Sequence, residues 1–196
     1  MPRGSVDRPV ALTGMMGAGK STVAAHLARL LGRGVVCSDA EVERRAGKPI
    51  ARIFAEDGEP TFRALEREVV AGIAGPAVVD LGGGAFCDPQ GAARLLATAT
   101  VVFLDVSPAE AARRRGAAEG RPLAPRWEAL LAARLPLYRR AHHTVQVDGL
   151  TPEAVARRIV DLLRASSSPR PSPPLEEREE LGAPRPPPAL GKKEDA

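Results

Sequence analysis

Aromatic residues are scarce in this chain of 196 residues, with only Phe 4, Trp 1 and Tyr 1. The core must therefore come from Val, Leu, Ile and Ala, which suits helices packed on a parallel sheet. The same scarcity speaks against a nucleic-acid surface, in which basic residues alternate with rings. The formal charge of +4 sits on arginines spread among acidic residues, so small anionic ligands are expected rather than nucleic acid. Cysteine is nearly missing too. Cys37 and Cys87 are too few for a disulfide framework and lack metal-ligand spacing, which fits a reducing cytoplasm. No apolar run reaches the roughly eighteen residues of a membrane span, and Met1 to Pro9 holds no apolar segment, so neither a span nor a signal peptide is expected. Lysine is the last shortage. Before residue 165 only Lys20 and Lys48 occur, in a chain that otherwise takes its positive charge from arginine.

Lys20 lies in what the chain does have. Residues 10 to 22 read VALTGMMGAGKST, the full G-x-x-x-x-G-K-[ST] phosphate-binding pattern between a strand and a helix. Gly14, Gly17 and Gly19, with Ala18 between them, let backbone N–H groups approach phosphate oxygens at a helix N-terminus. Lys20 reaches the β- and γ-phosphates in such loops, Ser21 offers its hydroxyl to Mg²⁺, and Thr22 completes the motif. A nucleotide phosphate with Mg²⁺ is the expected ligand, and the loop alone does not distinguish a GTPase, an ATPase or a small-molecule kinase.

Further along, strands and helices alternate. Val10 to Thr13, Val35 to Cys37, Ala77 to Leu81, Thr100 to Leu104 and Thr144 to Val147 read as strands. A helix after the loop places Val23, Leu27, Leu30 and Leu31 on one face and stops at Gly32 and Gly34. Residues 40 to 73 read as three helical pieces broken near Pro49 and Gly58, with Ile53 and Phe54 in the core. Asp88-Pro89 starts a helix with a capping carboxylate, and Ser107 to Glu110 has the spacing of a capping box. Another helix runs from about Arg126 to Arg140, and a last one starts at Thr151-Pro152-Glu153. This is a three-layer α/β fold with a central five-stranded parallel sheet. From Ser166 the chain turns to proline and charge without hydrophobic period, so residues 1–165 form the domain and 166–196 a disordered tail. His26, His142 and His143 read as surface residues.

The chain resembles shikimate kinases over nearly all of residues 9 to 165. The likeness rests on the GMMGAGKST loop, Ser38-Asp39 with Glu43 following, Phe62-Arg63-Ala64-Leu65-Glu66, Gly82-Gly83-Gly84, Arg121-Pro122-Leu123 and Arg134-Leu135-Pro136-Leu137-Tyr138, in that order and spacing. It implies a P-loop kinase fold with a mobile lid, here about 113–124, and transfer of the γ-phosphoryl of ATP to the 3-hydroxyl of shikimate in aromatic amino-acid biosynthesis. Shikimate carries a carboxylate and three hydroxyls. Arg63 and Arg134 suit the carboxylate, Asp39 the attacking hydroxyl, and Gly82 to Gly84 a close backbone approach to the ring. Taken singly, Arg63 could equally pair with Glu59 or Glu66 at the surface, Arg134 be an exposed helix arginine, Asp39 a helix cap, and the glycines a flexible strand end. Arg121 would bring charge over the phosphates as the lid closes. Arg114 is similar to the family arginine that packs on adenine, with Arg113 and Arg115 competing for the register.

One departure matters. The family usually has Asp-x-Asp after its second strand, the first Asp holding Mg²⁺ through water, and this chain has Cys37-Ser38-Asp39. A thiol is a poor partner for hydrated Mg²⁺. The third strand, however, ends Val78-Val79-Asp80, the Walker B form. Asp80 either replaces the missing carboxylate beside Ser21 or faces solvent at a strand end. A monomer acting on a small molecule, without membrane or nucleic-acid partner, is expected. The rivals are a kinase of another hydroxy acid such as gluconate, and a regulatory protein that binds nucleotide or shikimate without turnover.

Overall fold

The computed structural model describes residues 8–119 and 125–167. At its centre is β1 (Val10–Thr13), all four residues of which are buried. β2 (Gly34–Cys37), β3 (Ala77–Asp80), β4 (Thr100–Asp105) and β5 (His143–Gln146) join it, and the described strands make one sheet in the order β2-β3-β1-β4-β5. All pairings are parallel. Strands in the middle of such a sheet are covered on both faces, which is why Val78 and Val79 of β3 and Val101 to Leu104 of β4 are uninterrupted apolar runs. The edge strands are less covered, β2 leaving Val35 47% exposed and β5 burying only Val145. From β1 the chain leaves toward one edge, and from β4 toward the other. The crevice between those departures opens at the carboxyl ends of the central strands.

The helices are α1 (Lys20–Leu31), α2 (Ser38–Ala46), α3 (Ile50–Glu56), α4 (Gly58–Ala71), α5 (Pro89–Thr98), α6 (Pro108–Glu119), α7 (Pro125–Tyr138) and α8 (Pro152–Ser167). α1 packs on α8 and over β3. It buries Val23, Ala24, Leu27 and Ala28 and ends at Gly32, whose φ of +64° turns its N–H back to the carbonyls of Ala28 and Arg29. Full burial of Leu27 contributes about 1.5–3 kcal/mol. The stripe is centred on Ala24, Leu27 and Leu31, so Leu30 falls at its margin and is 46% exposed rather than buried as its spacing implied.

The segment expected as three helical pieces is α2, α3 and α4, broken at Gly47 to Pro49 and at Asp57. These helices carry a small core of their own, Val42, Ile53, Phe62 and Val69, separate from the main cluster around the sheet. Ile53 is in it. Phe54 is not: α3 has room to bury only one side of a seven-residue helix, and Phe54 lies at the surface with its ring 4.7 Å from that of Phe62.

Asp88 caps α5 as its sequence implied, accepting from the Gly91 N–H at 2.7 Å. The capping box before α6 is half formed. Ser107 Oγ accepts from the Glu110 N–H at 3.2 Å, but Glu110 gives its carboxylate to Arg113 and Arg114, and the Ser107 N–H goes to Asp148. α6 runs on to Glu119 through the arginines where the sequence had it dissolving, and α8 reaches Ser167, beyond the expected edge of the tail at 166. Arg121, the centre of the expected lid, residues 168–196 and the side chain of Arg115 lie outside the described residues. His142 is not merely superficial: its Nδ1 accepts from the Val101 N–H at 3.0 Å, which ties the chain before β5 to β4.

Candidate active site

The loop from β1 to α1 adopts the conformation that its glycines make possible. Gly14, Gly17 and Gly19 have φ of +143°, +91° and +84°. A Cβ on Gly14 would stand 2.6 Å from the Leu104 carbonyl oxygen, so β4 itself enforces glycine there. Ala18 is buried and donates its N–H to the Met15 carbonyl at 3.2 Å. Gly19 caps α1 without any side-chain hydrogen bond, and no acidic residue stands in the first turn. The first N–H groups of α1 thus face the crevice unclaimed by a side chain, as an anion site requires. Lys20 folds back to donate to the Gly14 carbonyl at 3.0 Å, and Thr22 is exposed. Burial pulls the Lys20 ammonium below its ordinary pKa, against the opposing pull of Asp80 and Asp39.

Ser21 Oγ donates to Asp80 Oδ2 at 2.5 Å. Asp80 is 7% exposed, so it is not the solvent-facing strand end that the sequence left open. It occupies the β3 position paired with Cys37 of β2, and the exposed Cys37 brings no oxygen to the site. The hydroxyl and carboxylate are hard oxygen donors suited to Mg²⁺. No group of three or more metal-ligating side chains gathers among the described residues. A metal here would take its remaining oxygens from phosphate and water, the usual habit of Mg²⁺.

Across the crevice, β2 ends directly in α2, and Ser38 and Asp39 diverge. Ser38 is buried and accepts the Gly82 N–H at 2.8 Å. The expectation that backbone N–H groups of Gly82 to Gly84 reach toward a ligand is therefore corrected at Gly82, whose N–H is taken. The glycines serve another purpose. A Cβ on Gly82 would collide with the Asp39 carboxylate, and one on Gly84 would stand 2.5 Å from an Arg63 guanidinium nitrogen. α2 has no side-chain cap, so Asp39 does not act as one. Burial, with Asp80 and Glu43 nearby, raises the Asp39 carboxyl above its ordinary pKa, and Lys20 opposes this.

Arg63 does pair with its helix neighbours, Glu66 at 2.6 Å and Glu59 at 3.1 Å. Glu66 is only 3% exposed, which makes this a built-in orienting pair rather than a surface one. Burial raises the Glu66 pKa while Arg63 pulls it down. Arg134, half-buried on α7, donates to the Gly83 carbonyl at 3.1 Å, and Tyr138 donates to the same oxygen at 2.6 Å. With these bonds, and with the Ala85 N–H on the Gly82 carbonyl and the Cys87 N–H on that of Gly84, the glycine turn is a held structure and not a flexible strand end. Ser38 and Tyr138 stood in the sequence patterns without a role, and Glu66 only as a possible surface partner of Arg63. The signals were there in part: Arg63–Glu66 and Arg134–Tyr138 have helix-neighbour spacing.

On the nucleotide side, Arg114 separates from its neighbours. It donates to the Ala18 carbonyl at 3.3 Å and the Val147 carbonyl at 2.8 Å, and is oriented by Glu110 at 2.7 Å. Arg113 turns outward, 72% exposed, and pairs only with Glu110 among the described residues.

The family model for shikimate kinase matches residues 16–164. A shikimate kinase of Mycobacterium avium (strain 104) is 47% identical over 167 residues, which is 80% of this chain and 94% of that protein. One from Thermobifida fusca (strain YX) is 49% identical over 169 residues, 82% of this chain and 98% of that one. Among solved structures, a shikimate kinase from Acinetobacter baumannii in complex with shikimate superposes with a TM-score of 0.74 at 33% identity, covering 83% of this chain and 96% of its own. The phosphate loop, the buried carboxylate beside Ser21 and the held glycine turn thus stand in a chain that belongs to the shikimate kinase family.

Proposed function

We propose that the crevice described above transfers the γ-phosphoryl of ATP to the 3-hydroxyl of shikimate with its own residues in the following roles. The α1 N-terminus, Gly14, Gly17, Ala18, Gly19 and Thr22 cradle the phosphates, and Lys20 leaves the Gly14 carbonyl to meet the β- and γ-oxygens. Arg114 lies against the base, and Arg121 adds charge over the transferring group. Mg²⁺ neutralises charge on the phosphate oxygens when bound. Ser21 and Asp80 are the residues that would hold it, Asp80 supplying the carboxylate that Cys37 lacks.

Arg63 and Arg134 grip the shikimate carboxylate, with Gly83 and Gly84 keeping the floor low beneath the ring. Asp39 orients the attacking hydroxyl and accepts its proton. The observation that carries this reading is the position of Asp39. It overhangs Gly82 on the acceptor side and is close enough to Lys20 and Asp80 for their charges to act on its carboxyl, so one carboxylate faces both halves of the crevice.

No helix among the described residues is long and apolar enough to cross a membrane. The reading is of a monomer in the cytoplasm, with residues 1–165 as the working domain and 166–196 as an extension outside the chemistry. Phosphorus NMR of reactions with ATP, Mg²⁺ and either shikimate or gluconate tests the acceptor. A phosphomonoester signal is expected with shikimate alone, and one with gluconate alone sinks the reading.

A further inference from the structure

The Gly83 carbonyl oxygen is where α7 meets the glycine turn. It accepts from Tyr138 Oη at 2.6 Å and from an Arg134 guanidinium nitrogen at 3.1 Å, and the Cys87 thiol lies 4.0 Å away. A carbonyl oxygen has two lone pairs, and here the two donors from α7 occupy both. Arg134 and Tyr138 are one helical turn apart on the same face. Their situations differ. Arg134 is half-buried, whereas Tyr138 is fully buried, its ring stacked 5.1 Å from Phe103 and its hydroxyl beside Met15 Sδ at 3.8 Å. Burial raises the phenol far above its ordinary pKa, so the hydroxyl stays a donor.

We propose that Tyr138 is a positioning residue for the acceptor site: it keeps the Gly83 carbonyl satisfied and in place while Arg134 leaves that oxygen for the substrate carboxylate. The proposal rests on the reading of Arg134 as a carboxylate ligand. The physical argument is one of partners. An arginine already holding a carbonyl can turn to a carboxylate at little cost only if the carbonyl keeps a second donor, because the half-buried Gly83 oxygen, left without a protein donor, loses what that hydrogen bond contributes. Without the Tyr138 hydroxyl, Gly83 would be left with the Cys87 thiol, a weak donor at 4.0 Å. Tyr138 thereby strengthens carboxylate binding without touching the carboxylate, and its effect should depend on whether the ligand has one.

Tyr138→Phe removes only the hydroxyl and leaves the ring on Phe103. Calorimetric binding of shikimate and of its methyl ester to wild type and to Tyr138→Phe gives the test. Wild type is expected to prefer shikimate to the ester, and the variant to lose about tenfold in affinity for shikimate while its affinity for the ester changes little. Equal losses for both ligands mean a general structural role and overturn the proposal, as does no loss for either. If wild type binds acid and ester alike, the Arg134 reading itself has failed and the proposal falls with it, an outcome distinct from failure of the Tyr138 role alone. A measurement on wild type covers the case of a variant that does not fold. The carbonyl carbon resonance of Gly83 should shift on adding shikimate and stay put on adding the ester, and a resonance unmoved by shikimate contradicts the exchange of partners.

Discussion

The Ser21 hydroxyl donates to the Asp80 carboxylate at 2.5 Å, linking the first turn of the helix after the phosphate loop to the end of the neighbouring strand. Asp80 is paired in register with Cys37, so the carboxylate stands one strand away from where this family usually keeps it. The parallel ladder makes that exchange geometrically cheap, because paired ends of adjacent strands open into the same crevice. On the reading proposed above, in which Asp80 takes the metal role, the thiol at Cys37 does not by itself disarm the site.

The glycine at position 82 is required by a side chain, not by a turn. In Gly82→Ala the new methyl meets the Asp39 carboxylate and displaces it, which on the proposed reading moves it off the attacking hydroxyl. A shift of that kind should lower kcat by about 100-fold with the KM for ATP unchanged. Steady-state kinetics with each substrate varied checks it, and an unaltered kcat would separate Asp39 from the chemistry.

Glu66 holds Arg63 from within the protein at 2.6 Å. Glu66→Ala leaves the guanidinium with the exposed Glu59 alone and should destabilise the fold by about 1–3 kcal/mol, read as a fall in Tm of several degrees. The KM for shikimate should rise as Arg63 loses its aim, while the KM for ATP holds.

Asp39 links activity to stability through its raised pKa. A carboxyl raised in the folded state binds its proton more tightly there than in the unfolded chain. Its burial therefore costs stability once pH exceeds the unfolded value, in full above the folded pKa, and the cost disappears as pH falls below both. Asp39→Asn should raise Tm at neutral pH, with a gain that shrinks in acid, and lower turnover by at least about 100-fold. Thermal melts across pH with no such trend would show that burial does not strain Asp39.

Arg114 and Arg113 give a paired contrast. Arg114→Ala removes the bonds to the Ala18 and Val147 carbonyls and should raise the KM for ATP about tenfold, whereas the outward Arg113→Ala should change it little. Equal effects would place the adenine contact elsewhere.

What the sequence made legible was what depends on neighbours in the chain. The phosphate loop, its helix ending at Gly32, and the Asp88 cap are local devices with local signatures, and each is present. Phe54 and Leu30 show where periodicity falls short, since it marks an apolar face but not how wide a strip the neighbouring element covers. The site is less local. Ser38 bonds to Gly82 and Tyr138 to Gly83 across 44 and 55 residues, and no spacing rule announces such pairs. Asp80 was ambiguous for the same reason: its burial depends on α1, 59 residues earlier. Arg113 and Arg114 were indistinguishable as letters and are separated only by the side of α6 they occupy.

Shikimate-dependent release of ADP, titrated with Mg²⁺ for wild type and Asp80→Asn side by side, tests the central claim most directly. Wild type should turn over at roughly 1–100 per second, and the variant should need about 10- to 100-fold more Mg²⁺ to approach that rate. Superimposable Mg²⁺ titrations would contradict the assignment of Asp80 to the metal, and a wild type that binds shikimate and ATP without turnover would contradict the reaction.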